Sequence, residues 1–339
     1  MKKRIAIVGA TGYAGGELAA ILARHPRSEV SSVSSSGGAA GMPFSSLHAA
    51  LRGTEGPAVS TFALDALLAD RPDMVFLATP NEISAAVVPS LVDAGIRVID
   101  LSGAYRLEDP SIYAERYGFT HPAPQLLGTA VYGLPEHCNG ELFGARLVAN
   151  PGCYPTSILL ALRPLLPFFA EHATIVCDAK SGVSGAGRKS EVDYSFTELS
   201  GNFKAYGIDT HRHTPEIESR LGHDGTEIIF VPHLLPVPRG ILSTIYVDLS
   251  RETTTEEIAA AYDDAYGYKP FVTVLPAGET PSLRDVVGTP RCDIGFKVLR
   301  GGTKLVAVSV IDNLLKGAAS QAVQNYNRVF GFDEKEGLA

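Results

Sequence analysis

The N-terminal sixteen residues constrain the fold more than any other stretch. Arg4-Ile-Ala-Ile-Val8 is a continuous apolar run, the pattern of a parallel strand buried on both faces. Gly9-Ala-Thr11-Gly12-Tyr13-Ala14-Gly15-Gly16 follows at once, and a helical pattern then runs to about residue 23. A strand that turns on glycines directly into a helix is the opening unit of a doubly wound sheet. The alternation continues with strands predicted at 29–34, 74–79 and 98–101 and a helix at 82–92. After residue 150 strands dominate, at 174–179, 226–232, 242–249, 271–275 and 305–311. This pattern predicts an α+β domain with a largely antiparallel sheet. A final amphipathic helix is predicted over 313–329 from apolar residues at helical spacing.

The expected organisation is a Rossmann-type α/β domain of residues 1–149 plus 314–339, and an α+β domain of residues 150–313. A chain of 339 residues suits two domains, and 45% apolar residues supply a core for each. The formal net charge of -8, with no basic run, argues against a nucleic-acid partner. The apolar stretches fall short of a membrane span. Met1-Lys-Lys-Arg4 leads into a strand without a signal-peptide pattern, so a cytoplasmic location is expected. Cys138, Cys153, Cys177 and Cys292 show no Cys-x-x-Cys spacing and read as reduced thiols, with no metal expected.

Chemistry concentrates at a few places. In Asn150-Pro-Gly-Cys153-Tyr-Pro-Thr156 a short apolar strand leads in and an apolar helical stretch leads out. Cys153 is thereby placed at a strand-to-helix turn. Helix N–H groups there favour a thiolate, which is the nucleophilic form. His211-Arg212-His213-Thr214-Pro215-Glu216 reads as an extended lead-in to a helix, with Thr214 as cap and Pro215 at the first helical position. His211 is expected as the acid–base partner of Cys153, with His213 supporting or contacting substrate; alternation puts both on one side, so the reverse assignment stays open, and Glu216 orients an imidazole or favours the helix dipole.

The Gly9, Gly12, Gly15 turn, with Thr11, Tyr13 and Ala14, is the candidate cradle for a dinucleotide pyrophosphate. The end of the second strand reads Ser34-Ser35-Ser36, with no carboxylate to repel a 2′-phosphate. NADP(H) is therefore expected over NAD; no arginine lies at the strand tip itself, and Arg24, Arg27 and Arg52 are candidates to reach it from elsewhere. Ser181-Gly182-Val-Ser184-Gly185-Ala186-Gly187-Arg188-Lys189 is a glycine-rich loop suited to a planar ring beside an anionic site. Arg106, after the fourth strand, is a candidate phosphate clamp.

Together these residues resemble a known family. The glycine turn, Tyr132-Gly-Leu-Pro-Glu136, the Cys153 motif, the Lys180–Arg188 motif and the His211 motif occur in the order seen in N-acetyl-gamma-glutamyl-phosphate reductases. The wider semialdehyde dehydrogenase superfamily shares the architecture but has an Asn-Cys-Ser/Thr motif that this chain lacks. The resemblance implies NADPH-dependent reduction of an acyl phosphate through a Cys153 thioester and hemithioacetal. It further implies cofactor contacts from Thr79, Pro80, the 181–187 segment and Asn313. Substrate contacts from Arg106, Asn150 and Arg188 are also implied, as is a homotetramer. Reductases acting on a carrier-linked aminoadipyl phosphate share most of these motifs. A non-catalytic NADP(H)-sensing regulator is the alternative from a different class.

Overall fold

The computed structural model describes residues 1–188, 192–223 and 225–338; Lys189 lies outside the described residues. The chain divides into two compact units, residues 1–152 with 318–339, and residues 153–317.

The first unit is built on β1 (Lys3–Val8), β2 (Ser28–Ser35), β3 (Ser60–Thr61), β4 (Met74–Leu77), β5 (Arg97–Asp100), β6 (Val131–Tyr132) and β7 (Leu147–Ala149). All pair in parallel, in the order β3-β2-β1-β4-β5-β7-β6. The order reverses direction at β1, whose carboxyl end is where ligands of such sheets bind. The helices are α1 (Tyr13–Arg24), α2 (Leu64–Asp70), α3 (Asn81–Asp93) and the C-terminal helix (Ala319–Phe330). Strand residues alternate in direction, so both sheet faces must be covered. Ala6, Val8, Val75 and Leu77 pack with Ala85, Val88 and Leu91 of α3. On the C-terminal helix, Tyr326 packs its ring 6.0 Å from Phe76 and donates its hydroxyl proton to the Arg27 carbonyl at 2.9 Å.

The Tyr132–Glu136 motif anchors that same helix. Asn325 Nδ2 donates to the Gly133 carbonyl at 2.8 Å, and Gln324 Nε2 donates to buried Glu136 at 2.9 Å. A Cβ at Gly133 would lie 2.5 Å from the Asn325 amide, so glycine is what lets the helix dock.

The second unit carries β8 (Thr174–Gly182), β9 (Lys204–Ala205), β10 (Glu227–Leu235), β11 (Ile241–Asp248), β12 (Val272–Val274), β13 (Cys292–Leu299) and β14 (Lys304–Ile311). Its sheet runs β12-β13-β14-β11-β8-β10-β9 and is mostly antiparallel, with parallel pairs β8–β10 and β12–β13. Among the described residues the helices that join it are α4 (Cys153–Leu162), α5 (Phe196–Leu199), α6 (Thr214–Leu221), α7 (Thr255–Tyr266) and α8 (Leu283–Val286). α4 lies on β11 and β14, and α6 on β10, covering one face of the sheet.

Three sequence expectations are corrected here. The C-terminal helix starts at Ala319, not at residue 313, because Asp312 folds the preceding residues into a turn. Its carboxylate accepts from the backbone N–H groups of Leu314 at 2.8 Å and Leu315 at 3.2 Å. A strand, β13, was not expected, since Asp293 and Gly295 interrupt its apolar pattern. Gly295 admits the Glu279 carbonyl, whose oxygen a Cβ would meet at 2.3 Å. Helix α7 was also missed, although Thr254 and Glu257 form a reciprocal capping box at its start.

Candidate active site

In the first unit the glycine turn has the geometry that close approach requires. Gly9 adopts φ +85°, and a Cβ there would sit 2.2 Å from the Ala78 carbonyl oxygen. A Cβ at Gly15 would sit 2.3 Å from the Gly9 carbonyl oxygen. Gly9 and Ala10 donate their N–H groups to the Ser34 carbonyl at 2.8 and 3.2 Å, which pins the turn to the end of β2. Gly12 caps α1, whose first N–H groups have no partner within the helix. Thr11 and Ala14 are half-buried and Tyr13 is exposed. Thr79 shares a 2.8 Å hydrogen bond with Ser84, and Pro80 caps α3.

Of the three serines at the end of β2, Ser34 and Ser35 lie within the strand and are buried, and Ser36, just beyond it, is exposed. Arg27 pairs with Glu336 at 3.1 Å, and Arg24 Nε donates to the Ala20 carbonyl at 3.1 Å. The exposed Arg52 makes no side-chain hydrogen bond or ion pair among the described residues.

Arg106 is 6% exposed, which rules out a simple surface charge. Its Nε donates to the Asn150 carbonyl at 2.9 Å and its Nη2 to the Leu101 carbonyl at 2.8 Å. Asn150 is 1% exposed, and its side chain makes two hydrogen bonds within the unit. Its Nδ2 donates to the Ala318 carbonyl at 3.3 Å, and its Oδ1 accepts from Asn325 at 3.0 Å. Through these bonds the Asn150 side chain helps build the turn. Asp100, buried beside this turn, accepts from the hydroxyl of Ser102 at 2.8 Å. Burial raises its pKa above the ordinary value despite that bond.

In the second unit Cys153 is the first residue of α4, and it is the least buried of the four cysteines, the other three being buried. The residue after it organises an aromatic cluster that the sequence did not reveal. The Tyr154 ring lies 5.7 Å from His211, 6.0 Å from His213 and 5.1 Å from Phe230. Its hydroxyl lies 3.2 Å from that of Tyr206. Burial pushes the Tyr154 phenol far up and the Tyr206 phenol up to about 12, so both stay protonated. The only sequence signals for this pair were a tyrosine inside the cysteine motif and another five residues before His211.

The two histidines are not in an extended lead-in. His213 is itself the helix cap, and Thr214 is already helical. Thr214 N–H donates to the His211 carbonyl at 3.0 Å, closing a turn that brings the two rings to 4.8 Å. His213 N–H donates to His211 Nδ1 at 3.1 Å. That bond leaves the neutral ring's proton on Nε2. Burial first, and then Arg212, lower the His211 pKa to about 4. Glu216 is fully buried in the first turn of α6.

Ser181 and Gly182 are the last residues of β8 rather than loop, and Val183–Ala186 form a single tight turn. Gly187 follows at φ +81°, and Arg188 is exposed. Asn313 ties this turn down, donating from Nδ2 to Ser184 Oγ at 2.9 Å. A Cβ at Gly185 would meet Ser181 Oγ at 2.9 Å. No cluster suited to a metal ion occurs among the described residues.

Family models match both units. One, described as "Semialdehyde dehydrogenase, NAD binding domain", covers residues 4–145, and the other, "Semialdehyde dehydrogenase, dimerisation domain", covers 153–313. A nicotinamide-binding unit followed by a cysteine-led dimerisation unit defines an oxidoreductase of the semialdehyde dehydrogenase class. Relatives named N-acetyl-gamma-glutamyl-phosphate reductase extend the match over the whole chain. That of Desulfotalea psychrophila is 45% identical, covering 99% of this chain and 97% of the relative. That of Geobacter sulfurreducens is 47% identical with the same coverage. The chain belongs to the N-acetyl-gamma-glutamyl-phosphate reductase family.

Solved structures show the same fold at low identity. Aspartate semialdehyde dehydrogenase II of Vibrio cholerae, complexed with ASA, is 17% identical with a TM-score of 0.73, covering 97% of this chain and 98% of that one. Aspartate semialdehyde dehydrogenase of Candida albicans, with NADP, is 14% identical with a TM-score of 0.65, covering 97% and 100%.

Proposed function

We propose that the chain reduces N-acetyl-gamma-glutamyl phosphate to N-acetylglutamate 5-semialdehyde, releasing phosphate, as a step of arginine biosynthesis in the cytoplasm. The observation that carries this is the placement of Cys153 at the start of α4, with His211 and His213 packed on the adjoining Tyr154. The Cys153 sulfur attacks the acyl carbon, the carbon–oxygen bond to phosphate breaks, and a thioester remains. When bound, NADPH supplies a hydride to the thioester carbon. His211 holds its proton on Nε2 and donates a hydrogen bond to the carbonyl oxygen as that oxygen takes up negative charge. The carbon–sulfur bond then breaks, the thiolate is restored and the aldehyde leaves. His213 and buried Glu216 support the imidazole turn, and Arg106 and Arg188 are the cations assigned to the substrate phosphate.

The residues of the first unit fit the cofactor. A Cβ at Gly9 or Gly15 would meet backbone at 2.2 or 2.3 Å, so glycine lets the turn fold tightly into α1, whose N-terminal N–H groups suit a pyrophosphate. Gly12, Thr11, Tyr13 and Ala14 complete that turn, while Ser181–Gly187 and Asn313 are assigned to the nicotinamide. NADP(H) preference rests on Ser36 and Arg52. Ser36→Asp is expected to raise KM for NADPH at least about tenfold more than for NADH, through like-charge repulsion of the 2′-phosphate. Equal losses for both cofactors would remove Ser36 from that role.

Arg106→Lys is expected to lower kcat/KM for the acyl phosphate at least about tenfold. An ammonium replaces neither the guanidinium fork nor both carbonyl bonds. Steady-state kinetics with unchanged KM and kcat would reduce Arg106 to scaffolding.

Of the proposed homotetramer, pairing of two copies is supported by the sheet face opposite α4. Ile229, Val176, Tyr246 and Val306 stand in register across β10, β8, β11 and β14. Ile229 is 40% and Tyr246 45% exposed. A row of that kind on a dimerisation domain suits a second copy. The test of the activity is phosphate-dependent reduction of NADP by purified protein supplied with N-acetylglutamate semialdehyde. Cofactor binding without turnover would overturn it in favour of a sensor.

A further inference from the structure

We infer that the turn from Asp312 to Gly317 is the element that positions Cys153 relative to the Ser181–Gly187 segment, with Gly317, Asp312 and Arg239 as its positioning residues. This rests on the reading of Cys153 as nucleophile. Gly317 touches the nucleophile's own residue: a Cβ at 317 would lie 2.8 Å from Cys153 Cβ and 2.6 Å from the Asn313 carbonyl oxygen. Gly317 is not among the glycines at positive φ, so its backbone does not call for glycine. What calls for glycine is the contact.

The other end of the turn holds the glycine-rich segment. Asn313 Oδ1 accepts from Gly240 N–H at 2.7 Å while its Nδ2 donates to Ser184. Gly182 lies against the same stretch, where a Cβ would meet the backbone of Arg239 at 2.7–2.9 Å. One short turn therefore bears on the thiol residue and on the segment assigned to the nicotinamide.

Asp312 keeps the turn rigid. It is fully buried, and the partners of its carboxylate are all donors. Besides Leu314 and Leu315 they are Gly288 N–H at 2.8 Å and Arg239, whose Nε lies 3.0 Å and Nη2 3.1 Å away. An amide at 312 must turn its NH₂ toward one of these donors, so Asp312→Asn loosens the turn without changing its shape. Arg239→Lys keeps the charge but loses the fork.

The test uses full-length Gly317→Ala, Asp312→Asn and Arg239→Lys proteins and two readouts. The first is the pH profile of Cys153 alkylation by iodoacetamide, which needs no substrate. The second is kcat against KM for NADP in the phosphate-dependent assay. Gly317→Ala and Asp312→Asn are expected to change the alkylation rate and lower kcat, each at least about tenfold, with KM for NADP within about twofold. Arg239→Lys is expected to shift both in the same direction by less, and it is the deciding variant if the others do not fold. A lower melting temperature with unmodified alkylation and kcat would overturn the inference, leaving the turn as structure only. No turnover in the unmodified protein would instead overturn the proposed activity, and the alkylation profiles would still judge the turn.

Discussion

Cys153→Ser is expected to lower turnover at least about 10²-fold, equivalent to ~2.7 kcal/mol of barrier, while NADPH still binds. A hydroxyl at the start of α4 keeps the size and the hydrogen bonds of the thiol. It loses the readily formed anion that the helix N-terminus favours. The remaining cysteines provide an internal control. Cys177 and Cys292 are fully buried, and burial raises the Cys177 pKa. Cys138 is 7% exposed, and its thiol points at the Leu134 carbonyl at 3.3 Å. Iodoacetamide is therefore expected to label Cys153 first, and loss of activity should follow that label stoichiometrically. Near-normal turnover in the serine variant, or labelling of another cysteine that tracks inactivation, would sink the thioester mechanism.

What was legible in the sequence was local. The β1–glycine–α1 unit declares itself because its chemistry is contained in consecutive residues: a buried strand, a turn that excludes side chains, a helix start. The Cys153 turn is legible for the same reason. What escaped depends on partners far along the chain. The periodicity of residues 313–329 reads as one helix, yet Asp312 draws residues 312–317 into a turn with the help of Arg239, 73 residues away. Tyr206 gains meaning only because β9 pairs with β10 and sets it against Tyr154. The histidine motif was misread at the level of backbone. Alternation along a strand places His211 and His213 on one side, whereas a tight turn brings them together and fixes which nitrogen carries the proton. Helix α7 is a different case, since its capping box is contained in Thr254-x-x-Glu257 and is therefore a local signal.

That protonation state carries the second large expectation. His211 Nδ1 accepts from His213 N–H, and with a pKa of about 4 the ring is neutral through the physiological range. A neutral ring with its proton on Nε2 serves as a donor to the developing oxyanion rather than as a reservoir of charge. Removing one such donor costs about 10²–10³-fold in kcat. His211→Asn, whose shorter amide cannot reach as far, is expected to show that loss. The unmodified enzyme is expected to lose activity on acidification with a limb near pH 4 rather than near 6.5, because protonating Nδ1 breaks the bond that orients the ring. That limb should vanish in His211→Asn and persist in His213→Asn, with a smaller loss of kcat. Stability follows the same group. The folded pKa lies below the unfolded value of 6.5, so the unfolded chain takes up the proton first. The contribution of His211 to stability is complete above about pH 6.5 and is lost as the pH falls toward 4. Denaturant midpoints of the unmodified protein should fall across that window more steeply than those of His211→Asn. If instead His213→Asn abolishes the acidic limb and carries the larger loss of kcat, the donor to the oxyanion is His213.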